Sequence, residues 1–140
     1  MQLSKNFTLS ELVHSDTANA RGIDNTPTDI KIVNNLIKLA KNVLQPIRDK
    51  YGKPIIITSG YRCLDLNKAV GGVSNSQHLL GLAADIDVGT VNDNKLLFNM
   101  IEEMIKNKEI VVDQLLDESH YKWIHISYNE NNNRNQILHL

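Results

Sequence analysis

The longest patterned segment of the chain carries apolar residues at helical spacing over residues 30–51. Apolar positions three or four residues apart form one face of a helix that packs against a core. Thr26 is a suitable N-cap ahead of this segment, and Asp29 lies where a capping box places its acid. Pro46 falls inside the pattern and should interrupt the regular helix. Gly52 is a natural C-terminal stop, so the pattern predicts one long, interrupted helix.

Four short runs further along the chain have the composition of strands. They cover residues 55–58, 83–88, 111–116 and 123–128, and the first is rich in β-branched side chains. Residues 91–108, between the second and third runs, again show helical spacing of apolar side chains. A long helix followed by short strands and one more helix predicts an α+β fold, with a small antiparallel sheet flanked by helices.

Composition narrows the class of protein. The chain has 140 residues, which suits a single domain over 1–140, because no linker, repeat or charge block divides it. Apolar residues make up 41% and charged residues 22%, a mixture too apolar for a disordered chain. A formal net charge of -1 and an aromatic content of 5% argue against nucleic acid as a partner. The single cysteine, Cys63, excludes an internal disulfide. We expect a monomer.

The sequence also bears on where the protein is made. No run reaches the ~18–20 apolar residues needed to cross a bilayer, so membrane insertion is not expected. The first residues, MQLSKNFTLSELVHS, lack the basic start and continuous apolar centre of a secretory signal. We therefore expect synthesis in the cytoplasm.

Candidate chemistry begins directly after the first predicted strand, in the segment SGYRC at residues 59–63. Arg62 lies at the end of a strand apolar enough to be buried, where its rigid fork of donors could bind a carboxylate or an oxyanion. The alternative is a structural ion pair with an Asp or Glu elsewhere in the fold. The segment alone leaves both interpretations open.

A second segment, VGGVSNSQHLLGLAAD at residues 70–85, ends in the second predicted strand. His78 and Asp85 are too far apart for neighbouring positions on a helix, but a loop leading into a strand could bring them together. Asp85 lies among apolar residues, where an unpaired carboxylate would be costly to bury. A metal ion, or a histidine or arginine partner, would offset that cost, and a plain hydrogen-bonded pair is the alternative.

The third segment is the predicted strand WIHIS. Alternation places Trp123, His125 and Ser127 on one face and the two isoleucines on the core face. Two histidines and an aspartate make a suitable catalytic zinc site with one position left for water. Such a site needs a carboxylate that is not a ligand as a base, and the stretch DQLLDE at residues 113–118 supplies several.

The motifs SGYRC, NKAVGGVSNSQHLLGLAADI, DQLLDES and WIHIS, in this order and spacing, resemble those of zinc peptidoglycan peptidases. This is the family of D-Ala-D-Ala carboxypeptidases and L-Ala-D-Glu endopeptidases, whose fold is shared with the hedgehog signalling domain. The similarity covers nearly the whole chain, including NFTLSELVHSDTA and NVLQPIRDKYGKP. The resemblance implies a hedgehog/DD-peptidase-like fold, a Zn²⁺ cofactor and peptidoglycan stem peptides as substrates.

The resemblance also implies roles for individual residues. The zinc ligands would be His78, Asp85 and His125. Arg62 would steady a carbonyl or carboxylate of the substrate, and Glu118 would be the general base.

Further positions are expected at the same site. Ser76, Gln77 and Trp123 are expected to contact the substrate. Many relatives carry an acid three residues before the last histidine, where this chain has Lys122, so His120 is a second candidate for the acid/base group. An exposed histidine in a turn is the simpler description of His120.

These features predict a zinc metallopeptidase that acts on the peptidoglycan stem as a carboxypeptidase or an endopeptidase. A phage or prophage endolysin, released onto the cell wall after synthesis, is the expected biological role. The alternative is a catalytically degenerate, zinc-containing module that binds cell wall or serves as a virion structural protein.

Overall fold

A five-stranded sheet organises the protein, and the computed structural model describes all 140 residues. The strands lie in the order β1-β2-β4-β3-β5, and every neighbouring pair is antiparallel except β3 and β5, which are parallel. The strands are β1 (Ile56–Ser59), β2 (Ala83–Asp87), β3 (Gln114–Glu118), β4 (Trp123–Ser127) and β5 (Gln136–His139). The predicted α+β class is confirmed, and the sheet is mixed rather than wholly antiparallel.

Six α-helices accompany the sheet. They are α1 (Leu9–Val13), α2 (Asp16–Arg21), α3 (Ile30–Leu39), α4 (Gln45–Tyr51), α5 (Leu64–Ala69) and α6 (Val91–Lys106). A π-helical turn (Ala40–Leu44) joins α3 to α4, and a 3₁₀ turn (Gln77–Leu80) precedes β2. None of these helices combines the length and hydropathy of a bilayer-spanning segment.

The start of the long helix differs from the prediction. Asp29, not Thr26, is the N-cap, and its carboxylate accepts a hydrogen bond from the backbone N–H of Lys31 at 2.9 Å. The preceding chain is held extended because the buried Asn25 side chain is bonded to the backbone of Tyr61 and Cys63. Tertiary contacts therefore override the local capping signal.

The interruption predicted at Pro46 is confirmed. Proline has no N–H, so the carbonyl four residues before it loses its regular helical donor. The chain accommodates this with the π-helical turn, in which the N–H of Gln45 reaches the carbonyl of Ala40. Gly52 ends α4 with a left-handed φ of 75°, as predicted.

Two strand predictions need correction. The apolar run at 111–116 is not strand at its start, because the N–H of Val112 donates to the side chain of Asn135 at 2.9 Å, and β3 runs instead from Gln114 to Glu118. The edge strand β5 was not predicted, since its mixed sequence shows no alternation. The short helices α1 and α2 were not predicted either.

The two faces of the sheet have different chemistry. Ala84, Ile86, Leu115, Ile124 and Ile126 project from one face and are buried against apolar side chains of α3, α4 and α6. The intervening residues of the same strands project from the opposite face. That second face carries the polar side chains that the sequence singled out.

Candidate metal centre and active site

Strand register places the candidate residues of the sheet on one face. Asp85 of β2 lies directly opposite His125 of β4, and Glu118 of β3 lies opposite Trp123 of β4. Residues opposite each other in antiparallel strands share a face and come within side-chain reach. The alternation predicted for β4 is confirmed, since Ile124 is fully buried while His125 is only half-buried.

His78 reaches this face from the 3₁₀ turn. The turn is capped by Ser76, whose hydroxyl accepts a hydrogen bond from the backbone N–H of His78 at 3.2 Å. The Nδ1 atom of His78 lies 2.7 Å from the carbonyl oxygen of Gly60. A carbonyl can only accept, so Nδ1 carries the proton and Nε2 presents a lone pair to the site.

Only glycine fits at position 60. A Cβ there would lie 2.2 Å from the carbonyl oxygen of Leu12, which itself accepts a hydrogen bond from the N–H of Tyr61 at 2.7 Å. The segment after β1 therefore lies tightly against α1. This close approach holds the Gly60 carbonyl where it orients the His78 ring.

The three candidate ligands converge. His78 Nε2 lies 3.4 Å and His125 Nδ1 lies 3.0 Å from Oδ1 of Asp85, and the three ligand atoms are all within 4.8 Å of one another. Ligand atoms ~2.1 Å from a tetrahedral zinc ion are about 3.4 Å apart, so the spacing and the donor types fit Zn²⁺. The carbonyl behind His78 provides the outer hydrogen bond that zinc-binding histidines usually make.

The electrostatic environment of Asp85 suits a carboxylate that binds a metal ion. Asp85 as a whole residue is 8% exposed. Burial alone would raise the pKa of Asp85, but its contacts with the imidazoles of His125 and then His78 outweigh burial and hold that pKa well below its usual range. Asp85 is therefore an anion with its partners already in place. Its second oxygen lies 3.6 Å from Nη2 of Arg62.

Arg62 borders the centre in a fixed orientation. Its Nε donates to the hydroxyl of Ser59 at 3.1 Å, and its Nη1 donates to Oδ1 of Asn67 at 3.3 Å. Burial lowers the pKa of Arg62, and the charge of Asp85 opposes that shift. The ion-pair alternative for Arg62 is thus present in the structure, at the edge of the centre and not apart from it.

Asn67 is a residue that the sequence did not single out. It is buried, accepts from Arg62, and donates to the carbonyl of Val73 at 2.9 Å. A Cβ at Gly72 would lie 2.1 Å from Oδ1 of Asn67, so a larger residue there would displace the Asn67 side chain that holds Arg62. A polar residue inside a short helix gives no sequence signal of such a role.

Glu118 and His125 border two depressions that meet at the centre. One is also lined by Arg62, Val70 and Trp123. The other is also lined by Gln77, Gln114 and Arg134. Of the expected substrate contacts, Ser76 lines both depressions, Trp123 lines the first and Gln77 lines the second.

The environment of Glu118 suits proton transfer. Burial raises the pKa of Glu118, the electrostatic effect of His125 lowers it, and the charge of Asp85 raises it again. The net shift is upward. A carboxylate with a raised pKa is a better proton acceptor near neutral pH.

The second acid/base candidate is placed differently. His120 is exposed and borders neither depression. It lies in a turn whose three central residues all have left-handed backbone, with φ of 49° at Ser119, 57° at His120 and 65° at Tyr121. Lys122 is also exposed. Its backbone N–H donates a hydrogen bond to the backbone carbonyl oxygen of Glu118 at 3.1 Å.

Comparison with known proteins agrees with this geometry. A family model described as Peptidase M15 matches residues 5–127. The zinc D-Ala-D-Ala carboxypeptidase of Streptomyces albus G is 37% identical to the chain over 86 residues, an alignment that covers 61% of the chain and 32% of that relative. The chain thus spans about a third of the length of the curated relative it matches. Zinc is the metal that both the donor set and this relative indicate. The matched residues include every candidate ligand, Arg62 and Glu118, and the chain belongs to the peptidase M15 family.

Proposed function

We propose that the chain is a zinc-dependent peptidase that hydrolyses peptide bonds in the stem peptide of peptidoglycan. The observation that carries this proposal is the convergence of His78, Asp85 and His125 from three separate elements beside a half-buried glutamate. Membership of the M15 family and the named activity of the Streptomyces albus G relative support the same conclusion.

In this proposal the three ligands hold the metal and Glu118 handles the proton. A bound zinc ion would lower the pKa of water and polarise the carbonyl of the bond to be cleaved. The Glu118 carboxylate, on the same face as His125, would accept a proton from the attacking water and deliver it to the leaving amine. Its raised pKa favours the first half of that transfer, the acceptance of the proton.

Arg62 is proposed to stabilise negative charge on the substrate. Its guanidinium is braced by Ser59 and Asn67, so little motion is lost when it binds an oxygen anion. Donors fixed in advance are worth more to a developing oxyanion than donors that must be ordered during the reaction. The same group would bind the terminal carboxylate of a carboxypeptidase substrate.

The alternative from the sequence is a zinc-containing module without activity. Glu118 and Arg62 both border the centre, as hydrolysis requires, and this favours an enzyme. Release of peptides from purified cell wall by the zinc-loaded protein tests the proposal. Activity should vanish with a chelator, return with zinc, and be absent in Glu118→Gln. Wall binding without release of peptides by the zinc-loaded wild type would instead support the binding module.

Endopeptidase action is favoured over carboxypeptidase action by the shape of the site. Two depressions share Glu118 and His125 and differ in their other lining residues, which gives a peptide room on both sides of the cleaved bond. A carboxypeptidase needs only one long subsite and a carboxylate-binding group. Mass spectrometry of the released fragments identifies the bond, and removal of the terminal residue alone would contradict endopeptidase action.

An endolysin role belongs to the same proposal. Co-expression with a pore-forming membrane protein should then lyse the host cells, because the pore gives the enzyme access to the wall. Glu118→Gln is the control for this assay. Lysis that is equal with the variant would contradict the role.

A further inference from the structure

Arg134 lies on the wall of the second depression, seven positions beyond the last residue matched by the family model, Ser127. It follows β4 in the loop before β5 and borders the same depression as Glu118 and His125. No role in the proposed mechanism falls to it. Its side chain is 49% exposed, so it is open to a ligand in the depression.

The guanidinium of Arg134 is held in one orientation by a buried carboxylate. Nε donates to Oδ1 of Asp113 at 2.8 Å and Nη2 donates to Oδ2 at 2.9 Å, a two-point fork. Oδ2 also accepts from the amide of Gln77 at 2.6 Å. Because Gln77 immediately precedes His78, this chain of contacts fixes Arg134 relative to the metal centre.

The fork leaves donors free. Nη1 of Arg134 makes no hydrogen bond within the chain, and Nη2 has a second N–H beyond the one given to Asp113. A half-exposed arginine that is anchored on one edge can offer its other edge to an anion with little loss of side-chain freedom. The outer edge of Arg134 therefore carries free N–H donors in a fixed orientation.

The charges around the depression indicate which kind of ligand such a donor would bind. Glu118 is the other charged side chain that lines it, and the buried Asp113 is already paired with Arg134. A substrate carboxylate here would meet repulsion from Glu118 unless the free edge of a cation faced it. Arg134 is the arginine that lines this depression, and Arg62 lines the other.

We propose that Arg134 binds a carboxylate of the peptide substrate in the depression that Arg62 does not line. The inference rests on the proposed peptidase function and deepens it by naming a substrate class, peptides with a free carboxylate close to the cleaved bond. In a stem peptide the α-carboxylate of a γ-linked D-glutamyl residue is such a group. A stem in which that group is a carboxamide lacks the charge.

Binding of two small probes tests the inference without turnover. The probes are γ-D-glutamyl-L-lysine amide, whose only carboxylate is the α-carboxylate of the glutamyl residue, and its counterpart in which that carboxylate is replaced by a carboxamide. Both are titrated calorimetrically into zinc-loaded protein. The wild type should bind the acid about tenfold more tightly than the amide, the difference expected for a charge-assisted fork. Arg134→Gln should remove the preference, and Arg21→Gln, which removes the same charge from exposed α2, should keep it.

Several outcomes overturn the inference. If the wild type binds the acid and the amide equally, the inference is wrong, and this result does not depend on whether the variants fold. If folded Arg134→Gln keeps the preference for the acid, the inference is also wrong. Arg134 would then only stabilise the loop between β4 and β5 through Asp113. Arg134→Lys, which keeps the charge without the fork, should keep only part of the preference.

Failure of the proposed function is recognised separately. If zinc-loaded wild type releases no peptide from cell wall, the hydrolytic proposal fails, while the dipeptide titrations still decide whether Arg134 binds carboxylates. If wall is cleaved but acid and amide stems react at equal rates and bind equally, the Arg134 proposal alone fails.

Discussion

The two faces of β2 and β4 make opposite demands on the residues they carry. Ile86, Ile124 and Ile126 are fully buried on the core face, where contacts are non-directional and depend on shape and volume. One residue away, Asp85 and His125 depend on particular partners at hydrogen-bond distance. The core face therefore determines whether the chain folds, and the other face determines what the folded chain can bind.

The largest expected effect comes from removing a ligand. The wild type should hold about one zinc ion per chain, and His78→Ala should lose both the metal and all detectable hydrolysis. Metal analysis of gel-filtered protein, together with the cell-wall assay, measures this. Equal zinc in both proteins would remove His78 from the ligand set.

Replacement of the base should separate chemistry from metal binding. Glu118→Gln keeps the shape of the side chain without its basicity, so it should retain zinc and lose roughly 10²–10⁴-fold in kcat. His120→Ala is the matched control, because His120 borders neither depression, and it should keep most of its activity. An active Glu118→Gln beside an inactive His120→Ala, both at full zinc content, would reverse the assignment.

A substitution on the core face should lower stability without affecting metal binding or catalysis. Ile124→Ala should lower the free energy of unfolding by about 3 kcal/mol, since it leaves a cavity in the core. Zinc content and kcat per folded molecule should be unchanged. Ile56→Ala is the control, because Ile56 is 61% exposed on β1 and the same truncation there should cost far less. A loss of zinc with unchanged stability would contradict the division between the faces.

Arg62 tests whether fork geometry matters at the centre. Arg62→Lys keeps the charge but cannot reproduce the fork, so turnover should fall by roughly 10²-fold in a folded, zinc-loaded protein. Kinetics and thermal unfolding are measured together. Unfolding with unchanged activity per folded molecule would instead favour a purely structural ion pair with Asp85.

The smallest effect concerns stability against acid. Hydrogen bonds from Arg134 hold the pKa of Asp113 below its ordinary value, although burial opposes them. A depressed pKa in the folded state means stabilisation that is complete above the unfolded pKa of ~3.9 and is lost as pH falls through the folded value.

Asp113→Asn should therefore cost about 1 kcal/mol at pH 7. The difference from wild type should shrink as the pH drops below the unfolded pKa of ~3.9 and through the lower folded value. Chemical denaturation at several pH values measures this, with exposed Asp65→Asn as the control. A cost that is independent of pH would show that the fork to Arg134 contributes no charge-dependent stability.

Local patterns predicted the strands of the centre well, because alternation decides which residues share a face. The neighbourhood of Asp85 and His125 follows from the strands β2 and β4 once their register is known. The prediction of Thr26 as a cap was wrong, since contacts of Asn25 with distant backbone decide where α3 begins.

The remaining parts depend on contacts between distant residues. Asn67 acts through Arg62 and Val73, and Arg134 acts through Asp113, 21 positions earlier. The strand β5 forms because β3 offers an open edge, not because its own sequence alternates. Single-sequence patterns carry no record of such pairings.

The turn at Ser119, His120 and Tyr121 limits how the length of the chain can change. Its three left-handed residues close the hairpin that pairs Glu118 with Trp123. One inserted or deleted residue that shifted this pairing would rotate every later side chain of β4 to the opposite face. His125 would then point into the apolar core and Ile124 into the metal centre. An altered length in this hairpin would therefore remove a metal ligand without replacing a single ligand residue.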